Sequence, residues 1–181
     1  MKTCYFTFGR FNPPTIGHEK LLRTLEKQAA SNDYLIYPSQ TFKKPNNPLP
    51  YDYKVETMKK MFPWANIETT ACCNTIIKVA QDMMMKDYSD IVMVVGSDRV
   101  GDFDKLLQKQ NTVDYTFNTI KVISAGERDP DADGASGMSA SKMREAVKNG
   151  KTKNFMEGIP DTLTIQEKLE LMEEVRKGMG L

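Results

Sequence analysis

The first eighteen residues constrain this chain more than any other stretch. Thr3 to Phe8 is a run of β-branched and aromatic residues that favours a strand, and Gly9 with the Pro13-Pro14 pair must end it. Ile16 to Ala30 then carries apolar residues at helical spacing through Leu21, Leu22 and Leu25, with Thr15 placed to cap the first turn. Strand, tight loop and helix in that order direct backbone N–H groups and the positive end of a helix dipole toward the space above the strand's C-terminal end, a setting that suits phosphate. His18, the only histidine, falls in the first helical turn. An imidazole there can donate to a phosphoryl oxygen and offset charge that builds in a transition state. A lone histidine near a helix start is more often a surface or core residue, so its meaning rests on its surroundings.

Gly9 to His18 resembles the nucleotide-binding signature of the nucleotidyltransferase superfamily that shares an HxGH element with class I aminoacyl-tRNA synthetases. The element here reads Thr15-Ile16-Gly17-His18. Threonine in its first position is similar to the pantetheine phosphate adenylyltransferase form, whereas Gly9-Arg10-Phe11 resembles the archaeal-type nicotinamide mononucleotide adenylyltransferases. These likenesses point to different acceptors and leave the substrate open.

A second signature lies downstream in Gly137-Met-Ser-Ala-Ser-Lys-Met-Arg144, followed by Glu-Ala-Val-Lys-Asn-Gly150. It is similar to the superfamily's ISSTxxR motif. Ser139 and Ser141 place hydroxyls at the start of a helix expected from about Ala140 to Lys148, and Arg144 projects one turn along. Hydroxyls, helix N–H groups and a guanidinium fork suit the β- and γ-phosphates of a nucleoside triphosphate. An isolated SxSxxR is usually a serine cap with a solvated arginine. Here it follows TxGH in the order the superfamily uses.

Composition agrees with a single domain spanning 1–181, with 161–181 as a C-terminal helical extension. Twenty-five basic and 24 acidic residues give a formal charge of +1, which argues against a general nucleic-acid or membrane surface. No apolar stretch approaches the roughly 20 residues that span a bilayer, and the N-terminus has no signal-type apolar region; a soluble, cytoplasmic protein is expected. The cysteines Cys4, Cys72 and Cys73 form neither a disulfide framework nor a zinc spacing and read as buried thiols. The methionines, Met83-Met84-Met85 among them, read as core filling.

Between the signatures, strand and helix patterns alternate. Strands are expected at Asp33 to Pro38, Asn66 to Ala71, Ile91 to Val95 and Thr119 to Ser124. Helices are expected at Tyr51 to Phe62, with Val55, Met58 and Met61 inward, and at Asn74 to Lys86, with Ile77, Ala80 and Met84 inward. This alternation argues for an α/β fold with a doubly wound parallel sheet of about five strands and C-terminal helices. The resemblance adds a Rossmann-like order of 3-2-1-4-5. Ligands then lie over the strands' C-terminal ends, where Gly9 to His18, Ser39 to Lys44, Gly96 to Arg99 and Gly126 to Ser141 would converge.

Gly96-Ser-Asp98 follows the most apolar strand. Gly96 permits close backbone approach and Asp98 can accept from ribose hydroxyls, with an Asp helix cap as the bland alternative. After the second strand, Lys43 and Lys44 sit in a Pro/Asn loop and Lys54 lies on the next helix; Lys44 and Lys54 are the acceptor-binding candidates. Glu127 to Gly134 is acidic and lacks EF-hand spacing, so it reads as a loop and no metal site is expected. In the last helix Thr164 and Glu167 form a capping-box pair, and Ile165, Leu169, Met172 and Val175 share a face that docks on the sheet domain or on a second subunit, as in a homo-oligomer.

The resemblance implies a reaction. An acceptor phosphate attacks the α-phosphorus of a nucleoside triphosphate, pyrophosphate leaves, and positioning with charge stabilisation carries the catalysis. By resemblance His18 stabilises the transition state with Thr15 nearby, Arg144, Ser139 and Ser141 hold the departing pyrophosphate, and Gly9, Arg10, Phe11 and Gly17 bind and shape around the nucleotide. Mg²⁺ arrives with the triphosphate. The partners implied are a nucleoside triphosphate, adenylyl slightly favoured over cytidylyl, and a phosphorylated small-molecule acceptor. The competing class is a nucleotide-binding or structural protein that keeps the fold without turnover. Nucleic-acid modification fits poorly with the neutral charge.

Overall fold

β1 (Thr3–Gly9) has a hydrogen-bonded neighbour on each side, and the sheet is built outward from it. The computed structural model describes residues 1–70, 73–126 and 138–181. In chain order, β1 is followed by α1 (Ile16–Ala29), β2 (Asp33–Pro38), α2 (Tyr51–Met61), α3 (Ile76–Met85), β3 (Asp90–Val95), a 3-10 turn (Ser97–Arg99), α4 (Val100–Gln110), β4 (Thr119–Ser124), α5 (Ala140–Lys148), α6 (Thr152–Glu157) and α7 (Ile165–Met179). The chain divides into two compact units: Met1–Gly9, Leu21–Ser39 and Asn66–Arg128 form the first, and Arg10–Lys20, Gln40–Ala65 and Asp129–Leu181 the second.

The first unit holds the sheet, four parallel strands in the order β2-β1-β3-β4. This is a Rossmann-like α/β arrangement, with one difference from the expected five strands. The segment expected as a strand from Asn66 to Ala71 makes a single parallel bridge, Ile36 to Ile67, on the β2 edge away from β1. Ile36 donates to the Asn66 carbonyl at 2.9 Å and accepts from the Glu68 amide at 2.8 Å. The ladder stops there because the Glu68 carboxylate takes the next two amides, those of Thr69 and Thr70, each at 3.1 Å. A side chain has replaced the neighbouring strand as acceptor.

β3 is buried through Val95, and its alternate residues Ile91, Met93 and Val95 pack with Phe6, Leu35, Tyr37, Val79, Met83 and Leu107 in one core. In α3 Ile76, Val79, Ala80 and Met83 are buried and the expected Ile77 packs partly buried against the same core, whereas the expected Met84 is exposed. The helix begins after Thr75, whose side chain accepts from the Lys78 amide, and the buried stripe is phased from that start. Met84 and Met85 are exposed, so core filling accounts for Met83 alone of that triplet. Cys4 and Cys73 are buried, and burial pushes the Cys4 thiol up to about 12. Cys72 lies outside the described residues.

The second unit is built from the loop after β1, the first turn of α1, α2 and the three C-terminal helices, around Phe11, Leu49, Met58, Phe62, Met143, Phe155 and Leu171. α7 has the expected capping box at Thr164 and Glu167, but its inward face is Lys168, Leu171, Val175 and Gly178. Ile165 and Leu169 are exposed. Lys168 lies inward because its ammonium reaches Asp161 at 2.7 Å while its stem packs, and Gly178 because α7 passes directly over Pro48. Among the described residues, no helix is long and apolar enough to cross a membrane.

Within the first unit, Tyr37 donates to Asp82 Oδ2 at 2.7 Å and ties β2 to α3; Lys86 continues the chain to Asp82 and Glu68, at 3.4 Å each. Tyr37→Phe removes the donor from a buried carboxylate and is expected to cost about 1–3 kcal/mol, read as a lower urea midpoint with an unchanged slope.

Candidate active site

The chain from Phe11 to Thr15 connects a strand to a helix, yet every residue in it is buried. A buried connection must satisfy its backbone polar groups without water, and here side chains do so. Lys54, wholly buried on α2, donates to the Arg10 carbonyl at 2.7 Å. Arg144 on α5 donates through Nη1 to the Asn12 carbonyl at 2.8 Å. The Asn12 side chain accepts from the Leu49 amide at 2.9 Å. Phe11 takes a left-handed backbone conformation, φ 49°, and its ring lies 4.9 Å from that of His18.

The first turn of α1 is closed with equal care. Thr15 is fully buried, and its hydroxyl oxygen accepts from the amides of Gly17 at 3.1 Å and His18 at 3.4 Å. Ile16 donates to the Gly158 carbonyl at 2.9 Å. Thr15 also donates its own amide to His18 Nδ1 at 3.0 Å, with its hydroxyl 3.2 Å from the same atom. Because Nδ1 accepts, the neutral ring carries its proton on Nε2, as a phosphoryl-oxygen donor requires. The helix amides expected to cradle phosphate are thus already bonded at this turn.

The two signatures meet in the second unit. A Cβ built on Gly17 would lie 3.1 Å from the Met138 carbonyl oxygen, so glycine lets α1 approach the peptide before Ser139. Ser139 caps α5, accepting from the Lys142 amide at 3.2 Å, and its hydroxyl is 3.0 Å from that of Ser141. Among the described residues, the amides of Ala140 and Ser141 have no acceptor. Burial first, and the Arg10 charge second, hold the Arg144 guanidinium below its usual range, although arginine stays charged. No carboxylate of the described residues pairs with Arg10 or Arg144. Two adjacent cations, two hydroxyls and open helix amides together suit a polyanion.

Of the remaining candidates, Gly9 ends β1 and accepts from the Ser39 amide at 2.7 Å, while Gly96 and Asp98 follow β3 in the first unit. Gly96 has an ordinary φ of −59°, and Asp98 is exposed in the 3-10 turn. Asp98 does not serve as the α4 cap, a place held by Arg99. Lys44 is exposed, its ammonium beside Gly180 at the end of α7. Lys54 is wholly buried with its ammonium on the Arg10 carbonyl, so its place is in the packing of the loop. Sequence reasoning overlooked Asn12, Leu49 and Gly158. Asn12 carried a usable signal, an amide side chain directly before a proline pair that cannot donate. Glu127 to Gly134 lies outside the described residues. Among the described residues, no three His, Cys, Asp or Glu side chains are grouped to hold a metal ion.

The cytidylyltransferase-like family model matches residues 6–146, and this chain belongs to that family of nucleotidyltransferases. Solved structures with the same fold include a candidate nicotinate-nucleotide adenylyltransferase from Vibrio parahaemolyticus, 19% identical, covering 95% of this chain and 99% of that one at a TM-score of 0.57. The nicotinic acid mononucleotide adenylyltransferase of Plasmodium falciparum, complexed with NaAD, is 14% identical over 96% of this chain and 98% of that one, at 0.59. A bifunctional NMN adenylyltransferase/ADP ribose pyrophosphatase from Francisella tularensis is 15% identical over 99% of this chain and 53% of that one, also at 0.59. No curated protein matches the chain.

Burial lowers the Lys54 ammonium to about 8. An amine depressed on folding leaves the native state binding fewer protons than the unfolded one between the two values, so stability rises with pH across that window and levels off below the lower value, where both states are protonated. Relative to Lys54→Met, the natural protein should gain about 2–3 kcal/mol in urea unfolding between about pH 7.5 and about pH 10.

Proposed function

We propose that this protein transfers an adenylyl group from ATP to a phosphate-bearing small molecule and releases pyrophosphate. The observation that carries the reading is the Arg144 contact with the Asn12 carbonyl, which sets the triphosphate-type donors of α5 against the loop that orients His18. Adenylyl is preferred to cytidylyl because the three structural neighbours described above are adenylyltransferases, one of them a candidate one.

An acceptor phosphate oxygen forms a bond to the α-phosphorus, and the bond from that phosphorus to the oxygen bridging the β-phosphate breaks. The electron pair leaves with pyrophosphate, so no protein nucleophile is required. His18, held by Thr15 as the Nε2–H tautomer, donates to a non-bridging α-phosphate oxygen as charge accumulates there. Arg10, Arg144, Ser139 and Ser141 take the β- and γ-phosphates. Phe11 and Gly17 shape the nucleotide side; Gly9, Gly96 and Asp98, which belong to the first unit, are assigned to the nucleotide by the family resemblance alone. Lys44 meets the acceptor phosphate, while Lys54 acts through the Arg10 carbonyl. The guanidinium, hydroxyl and amide groups assembled here take phosphate oxygens, so Mg²⁺ would come with the triphosphate and neutralise its charge.

Pyrophosphate release from purified protein with ATP or CTP, Mg²⁺ and a panel of phosphate acceptors tests the reading; no release with any pair sinks it. His18→Ala should lower kcat about 100- to 1,000-fold with little change in triphosphate affinity, since its donation belongs to the transition state. Arg144→Ala should raise the triphosphate KM as well, because it contacts ground-state phosphates; a purely kcat effect contradicts that role.

A further inference from the structure

The family match ends at residue 146, but the loop that orients His18 and Arg144 is also braced from α7. Gly178 is buried on the inward face of that helix, and a Cβ built on it would lie 1.8 Å from the Pro48 carbonyl oxygen and 2.5 Å from its carbon. Backbone therefore rests on backbone, with no flexible side chain to absorb a displacement. Leu49, the next residue, is fully buried and donates its amide to Asn12 Oδ1. Asn12 in turn gives its carbonyl to Arg144 and follows Phe11, whose ring packs on His18. The links as far as Asn12 are short contacts between buried groups, and from there they reach the half-buried His18 and Arg144, the two candidate catalytic side chains.

We propose that Gly178 is a positioning residue for nucleotidyl transfer, acting through Pro48, Leu49 and Asn12 on the placement of His18 and Arg144. This rests on the nucleotidyltransferase reading above for its kinetic arm only. A methyl group at 178 must push Pro48 away from α7, and the Leu49 amide moves with it. The catalytic turn then shifts while every nucleotide-contacting side chain remains in the sequence.

The single histidine makes the test direct, because its imidazole gives one identifiable set of NMR signals and needs no substrate. Gly178→Ala should shift the His18 ring resonances and lower kcat about tenfold with triphosphate KM little changed. In an Asn12→Ala background the same substitution should add less than a twofold loss, because the route is already cut. Folded Gly178→Ala with unmoved His18 resonances overturns the proposal, as does a full additional loss in the Asn12→Ala background. If Gly178→Ala does not fold, Leu171→Ala loosens the same face without a clash and is held to the same imidazole criterion. Absence of pyrophosphate release from the natural protein would refute the transferase reading and leave the NMR arm intact.

Discussion

A loop with no access to water has to find donors for its own carbonyl groups, and the site is organised around how this one does so. Phe11 to Thr15 is buried, and two of the carbonyls around it are bonded by ammonium and guanidinium groups, from Lys54 and Arg144. Charged donors make stronger hydrogen bonds than neutral ones, and burial makes them costly to lose. The loop's shape is therefore coupled to two cations from separate helices. One of them, Arg144, is also a candidate to hold the leaving group, so structural and chemical duties meet in a single guanidinium.

Thr15 shows the same economy. Its hydroxyl closes the first turn of α1 and its amide fixes the His18 ring, two roles that ordinarily need different residues. With threonine at this position the first residue of the motif is buried beneath the histidine. Its contribution comes through the orientation and tautomer of that ring.

Much of this was legible in the sequence, for reasons that differ between residues. The strands and α5 could be read because β-branched runs and a serine cap are local signals, and TxGH and SxSxxR because their chemistry is tied to their spacing. The α7 face was misread because hydropathy treats Lys168 as solvated and Gly178 as neutral. Both are inward for reasons set by distant partners, Asp161 for one and Pro48 for the other. Lys54 read as an acceptor-binding candidate for the same reason: nothing near it in sequence reveals the Arg10 carbonyl it meets. The abbreviated strand at Ile67 turned on one glutamate side chain capturing two amides, an event that strand propensity does not register.

The bond from Ile16 to the Gly158 carbonyl has a consequence for how the molecule comes into being. The amide belongs to the TxGH turn, and its acceptor is synthesised more than a hundred residues later. On the ribosome, the opening turn of α1 must wait, with that amide bonded to water, until Gly158 has emerged. Long separations of this kind slow folding, because loop closure precedes any reward from the contact. The turn that announces the chemistry thus stays incomplete until a residue from beyond the second signature arrives.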